Sequence, residues 1–460
     1  MSIPKSVIEQ LENCEVTYQV IELSEFNHAN KIAESLGDEA DNLLRTVALN
    51  NSAGDFVAVL SHFSLLDMRA LSVQKGCEYA VSSSKRKSEL SKEAHLLSFP
   101  PIGELCKAKL IVDSSVLEMS EAIIESGNPR VLIKLQQSEI AKLFADAEVL
   151  SFAASKERLY AGRNKDGNEV DVSFTPIRLK QRVNETFDLP AMPEIAQDIM
   201  KLRVDPSADA TKLAQIVKRD PSLAAQVISW ASSPYYGYQG KVDSIETAIA
   251  RVLGFELVMN LALGISIGKS LKVPMDGPLG VREFWKQAIY SASLSEKLCR
   301  TMPVKQRPER GLIYLSGLLH NFGHLLLGHI FPPQFNLVNT TILANPQIAV
   351  EDIEHYVLGV THEEIGAWLM TNWHMPDELI VAVQHHHQEQ FWSKHAVYSN
   401  IVLIANRLLK RLGIGDATDT QLPQSTLDLL AIDEENAESA LRDIELESET
   451  LDIMANQLVA

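Results

Sequence analysis

The sequence predicts two domains of different class: a mixed α/β (α+β) domain followed by an all-α bundle. Three observations carry this. Alternating apolar runs with turn signals fill the first 154 residues, a polar stretch follows, and from Leu189 onward the apolar spacing is helical almost throughout. At roughly 150 residues per domain, a chain of 460 residues has room for two or three units with real cores. A content of 46% hydrophobic and 22% charged residues excludes collagen-like and disordered classes.

Within residues 1–154, TVALNNSAGDFVAVL alternates apolar and polar positions around an Asn-Ser-Ala-Gly-Asp turn, which predicts a hairpin. KLIVDSS and RVLIKLQ read as further strands, and SVIEQLENC, HANKIAESLG and QSEIAKLFADA as helices. Residues 155–185 are polar, carry a Lys-Asp-Gly-Asn turn and read as a linker. Residues 186–415 form the expected bundle, with Asp205-Pro206 and Asp220-Pro221 each placing a cap and a first-turn proline at a helix start. Residues 416–460 make an acidic helical tail that spaces Leu441, Ile444, Leu451, Met454 and Leu458 at helical intervals, as a docked amphipathic helix would.

The formal charge of -18 is unevenly spread. Residues 1–154 hold 14 basic and 22 acidic side chains, and residues 428–460 hold Arg442 against ten acids, leaving the middle near neutral. Such acidity disfavours non-specific binding to nucleic acid or to an anionic membrane, both of which rest on Lys and Arg. The run Lys85-Arg86-Lys87 is a local exception, most simply a solvated charged face.

Cys14, Cys77, Cys106 and Cys299 lie far apart with no CxxC pair, which fits neither a disulfide framework nor a zinc ribbon. The N-terminus lacks the pattern of a signal peptide. The most apolar stretch, Phe255 to Gly268, includes Glu256 and Asn260 and is shorter than the ~20 residues of a membrane helix. The expectation is a cytoplasmic protein with no membrane partner.

Histidines concentrate in LLHNFGHLLLGH, IEHYVLGVTHEE and VQHHHQ. Imidazoles converging from several helices are common metal-site material, and His320 and His324 are expected to share a helix face at i, i+4. Packing of the same histidines through hydrogen bonds in the bundle centre is the competing reading.

The stretch from FDLPAMPEIAQDIM to VMNLALGISI, continued by FWKQAIYSASLSEKL, SGLLHNFGHLLL, GVTHEEIGAWLMTNWHMPDELIVAVQHHH and IVLIANRLL, resembles the HDOD domain, a signalling relative of the HD phosphohydrolases. The resemblance implies a bacterial regulatory module that acts by binding partners. Aligned on these motifs, the positions that hold metal in the catalytic relatives are Gln287, His320, Asn321, His362, His385, His386 and Asn406. Gln287, Asn321 and Asn406 are neutral, so anionic ligands that would offset a metal's charge are missing. A weakly bound divalent metal on His320, His324, His362, His385 and His386 is the remaining cofactor candidate. A working metal-dependent phosphohydrolase is the least favoured function.

Residues 1–154 resemble the YbaK-type domain of prolyl-tRNA editing through HANKIAESLG, NLLRTVALNNSAGDFVAVL and the long stretch from SFPPIGELCKAKL to RVLIKLQQSEIAKLF. The resemblance places Arg45 where that family carries its lysine, and Pro100, Pro101 and Gly103 in a pocket loop. Arginine keeps the charge but cannot act as a base. Arg45 is therefore read either as a binding group or as a salt-bridged strand residue.

Two enzyme-like domains with altered reactive positions point to a signal-transduction protein. Its first domain is expected to sense a small-molecule or aminoacyl ligand, and its HDOD block to meet protein partners. Aminoacyl-tRNA deacylation is the alternative, with tRNA disfavoured by the charge of that domain.

Overall fold

The computed structural model describes residues 3–23, 29–93, 96–105, 107–161 and 190–459. The chain divides into two compact units, one of Met1–Gly167 with Thr340–Ile348, the other of Asn168–Asn339 with Ala349–Ala460. Most of the expected linker, including its Lys-Asp-Gly-Asn turn, lies outside the described residues, while its first residues form the helix Lys156–Ala161.

The first unit is mixed α/β. Its main sheet has the order β5-β2-β3-β6-β9, formed by Ala80–Val81, Leu44–Asn51, Gly54–Ser61, Lys109–Asp113 and Glu148–Leu150. The predicted hairpin is β2–β3, paired from Leu44↔Ser61 to Asn51↔Gly54. Asn51 Oδ1 accepts from the Ala53 N–H at 2.8 Å, and Gly54 takes a φ of 128° that suits glycine. β3, β6 and β9 run parallel. A second, antiparallel sheet orders β1 (Gln19–Glu22), β8 (Val131–Gln136) and β7 (Glu121–Glu125). The short strands β4 (Leu65–Leu66) and β10 (Ala153–Ala154) pair with each other. Buried alternate side chains of these strands, Val57, Val59, Val112, Ile124 and Ile133 among them, share one core with Val7 and Leu11 of the helix Lys5–Asn13.

The second unit is helical, and no strand occurs among its described residues. Its longest helix, Val281–Thr301, packs against Arg310–Leu319, Ala396–Arg411 and the two last helices, Glu434–Leu446 and Ser448–Val459. The acidic tail is thus docked, burying Leu441, Ile444, Leu451, Met454 and Leu458. Asp220 caps its helix as expected, accepting from the Ser222 and Leu223 N–H groups with Pro221 in the first turn. Asp205 does not. The helix Ala210–Val217 is capped by Asp209, whereas Asp205 closes a turn onto Ser207 and pairs with Lys212. The helix Phe255–Lys269 is buried on nearly every side, and no described helix is long and apolar enough to cross a membrane.

Candidate functional site

The second unit gathers its histidines at the meeting of several helix ends. Val281–Thr301 carries Gln287; Arg310–Leu319 ends on His320; Asn321 is the N-cap of Phe322–Ile330, which carries His324. Val350–Leu358 carries Glu354. His362 opens His362–Asn372 behind a capping box of Thr361 and Glu364. Asp377–His385 ends beside His386 and His387, and Ala396–Arg411 carries Asn406. Two glycines allow the close approach. A Cβ on Gly317 would strike the Ala292 backbone, and one on Gly323 would strike the His362 carbonyl.

Most of the hydrogen bonds close within the cluster, although His387 Nε2 and Asn406 Nδ2 are buried without one. The His320 Nδ1–H donates to the Gly317 carbonyl at 2.7 Å, so Nε2 is left to accept from Gln287 Nε2 at 3.3 Å. Gln287 Nε2 also donates to Asp416 Oδ1 at 2.6 Å, and its Oε1 accepts from Asn321 Nδ2 at 3.1 Å. Asn321 Nδ2 reaches Asp416 Oδ2 at 2.8 Å. Glu354 accepts from His324 Nε2 at 2.8 Å, His362 Nδ1 at 2.7 Å and the His362 backbone N–H at 2.9 Å. His386 donates its Nδ1–H to Val383 O, so its Nε2 accepts from the His362 Nε2–H at 3.2 Å, and Asn321 Oδ1, itself an acceptor, lies 3.1 Å from the same nitrogen.

These groups balance one another's charge. Burial alone would raise the Glu354 carboxyl, but His362 and His324 pull it down to about 2. Burial likewise opposes charging His362, and Glu354 overrides it, holding the imidazole above its usual value. A proton on His362 Nε2 is what its contact with His386 requires. Burial also works against a charged His387, yet Glu351 and Asp416 push it up to about 10, and it stands 3.7 Å from Asp416. Burial pushes His320 down to about 4 and lowers His324 and His386. Glu354 thus faces His362, and Glu351 and Asp416 face His387, with His320, His324 and His386 held below the usual imidazole value between them.

Several expectations change. His320 and His324 do not share a helix face, because the chain breaks at His320-Asn321 and restarts as a new helix. His385 turns away, bonding Gln388 and stacking on Phe391, while His387 takes the inward place. Asn406 receives Ser291 Oγ at 3.2 Å and leaves its Nδ2 buried without a partner. Glu354 and Asp416 were not singled out from the sequence. The only available signals were the nearness of Glu354 to His355 and His362 and of Asp416 to a Gly-Ile-Gly turn, both weak.

A single divalent ion could be held by His362, His386 and His387, whose ligand atoms lie within 4.8 Å of one another, once His362 and His387 give up the protons they carry. Asn321 and Asn406 offer neutral amides, which would not offset the charge of a second ion. The opening beside the cluster, lined by His386, His387, Asn406 and Arg407, has a volume of about 40 Å³.

In the first unit Arg45 lies on β2. One guanidinium nitrogen donates to Ala344 O at 2.8 Å, the other to Asn345 Oδ1 at 2.5 Å and Ser64 O at 3.1 Å, and Nε has no acceptor. Arg45 therefore has no carboxylate partner among the described residues, and neutral acceptors stand in place of the salt bridge considered above. Burial lowers its pKa to about 9. Asn345 is fully buried and pairs with both backbone groups of Leu66, at 2.7 and 3.1 Å. A cavity of about 550 Å³ opens here, lined by Arg45, His62, Ser82, Glu125, Leu343 and Gln347 among others. Pro100, Pro101 and Gly103 do not line it. Their loop is buried, and Gly103 packs where a Cβ would meet Ala108 O, so residues 343–347 supply the wall instead.

Residues 189–389 match the HDOD domain. A solved structure from Marinobacter aquaeolei VT8, described as a candidate signal-transduction protein, is 32% identical over all of both chains, with a TM-score of 0.83. An uncharacterized protein of Treponema pallidum (strain Nichols) is 24% identical over 301 residues, 64% of this chain and 56% of its own, so the chain spans a little over half that relative's length. A candidate trans-editing enzyme for prolyl-tRNA synthetase is similar at 20% identity over 34% of this chain and all of its own, with a TM-score of 0.28. With an HDOD match in its helical unit and a 32%-identical relative along its whole length, this chain belongs to the HDOD-domain proteins.

Proposed function

We propose that this chain is a regulatory protein of the bacterial cytoplasm in which the HDOD unit acts by binding partner proteins, not by turnover, and the first unit is a ligand-binding sensor. The observation that carries this reading is the internally bonded centre around His362, where Glu354 holds His324 and His362 while Gln287 and Asn321 hold Asp416. Its charges are already paired, and the adjoining space of about 40 Å³ holds a water or two, whereas small-molecule sites span roughly 300–1,000 Å³. A divalent ion on His362, His386 and His387 would cross-link two helix ends and acidify a bound water. Arg407, the cation lining the opening, is already paired with Glu389 and Asp419, which leaves little positive charge beside the ion for a phosphoryl group.

The cavity at Arg45 favours a second reading, aminoacyl-tRNA deacylation by the first unit, because it is large enough for an aminoacyl group. Against it stand the absence of a lysine base at Arg45 and the acidity of the surrounding domain. The test is an assay of the purified full chain on phosphodiester, phosphomonoester and mischarged-tRNA substrates with added divalent metal. No turnover above background is expected. Metal-dependent hydrolysis abolished by His320→Ala would overturn the reading for the HDOD unit, and amino-acid release abolished by Arg45→Ala would overturn it for the first.

A further inference from the structure

We propose, resting on the sensor reading of the first unit, that the cavity at Arg45 binds a small molecule through an anionic group, carboxylate or phosphate, set against the Arg45 guanidinium. The cavity of about 550 Å³ lies within the range of small-molecule sites. Its cation is uncompensated. Arg45 meets two carbonyls and an amide oxygen but no carboxylate among the described residues, and its Nε–H has no acceptor at all. A guanidinium held this way gains more from an anion than it would in water.

The other lining groups do not cancel that field. Glu125 is the one acid in the lining; it accepts the Phe99 N–H at 2.8 Å, and burial raises its pKa against the opposing pull of that bond and of Lys87. Burial and Arg45 together hold His62 neutral. Lys87 offsets the charge of Glu125, and Ser82, Ser83 and Gln347 offer neutral hydrogen-bonding groups. Leu343 to Gln347 form part of the wall, and Ala344 and Asn345 share the guanidinium with any anion bound there. Occupancy is therefore felt in Thr340–Ile348, the segment of the first unit whose chain neighbours on both sides belong to the second.

The test titrates the full chain by calorimetry with inorganic phosphate, acetate and L-alanine, separating the phosphate from the carboxylate source, and follows hydrogen exchange across residues 340–348. Saturable binding of at least one probe is expected, weakened about tenfold or more by Arg45→Gln, with slower exchange in the segment when bound. Leu343 is half exposed at 51%, so Leu343→Lys and Leu343→Glu keep the fold even if Arg45→Gln does not. They should tighten and weaken binding respectively, each several-fold. No saturable signal from any probe, or equal affinity in Arg45→Gln and both Leu343 variants, overturns the proposal. Amino-acid release from mischarged tRNA would overturn the sensor reading alone and leave the anion site standing.

Discussion

The two units treat buried charge in opposite ways. Around His362 the charges meet opposite charges within the cluster: Glu354 holds His324 and His362, and Asp416 faces His387. At Arg45 the charge meets only neutral acceptors beside an open cavity. A closed, balanced network stabilises an arrangement and leaves little for a ligand to gain. An unbalanced one leaves free energy to be recovered by an anion. In the function proposed above, the region around His362 has a structural task and the smaller unit a binding task.

The largest way to break the contrast is Glu354→Ala. It strips the shared acceptor from two fully buried histidines and leaves an uncompensated imidazolium, so a loss of about 3–5 kcal/mol is expected in urea unfolding followed by helical signal. A loss below about 1 kcal/mol would mean that the network is not the keystone of the helical unit.

Asn345→Ala comes next. It orphans both backbone groups of Leu66 and one acceptor of Arg45, and a loss of about 2–3 kcal/mol is expected, read as faster hydrogen exchange in β2 and β3. Unchanged exchange there would show that residues 340–348 do not support the sheet.

The smallest effect concerns pH. His62 is held down to about 4 by burial first and by Arg45 second, against an ordinary value of 6.5. A lowered folded pKa means that the unfolded chain binds the extra proton between these values. The stabilisation is full above pH 6.5 and is lost as pH falls from 6.5 toward 4. Exchange in β3 should therefore accelerate over that window, and His62→Gln should flatten the change. An identical profile in the variant would remove His62 as its source.

Legibility followed the range of the interactions. The β2–β3 hairpin could be read because alternation and an Asn-Ser-Ala-Gly turn are local, and the Asp220 cap because it acts two and three residues away. The Asp205 misreading was local too, since two aspartates compete within five residues and only the geometry of the preceding turn selects Asp209. The histidine cluster was visible as a concentration of one residue type. Which of His385, His386 and His387 faces inward depends on about 100° of rotation per residue at a helix end, and composition does not record that.

By itself the sequence determined the two fold classes, the spread of acidity and the neutrality of Gln287, Asn321 and Asn406, because periodicity and chemical identity belong to the chain. Only the tertiary structure brought Asp416 and Glu354 to the histidines and residues 343–347 to Arg45. Those partners lie about 30 to 300 residues apart, and whether a charge is balanced or exposed is settled by what folds against it.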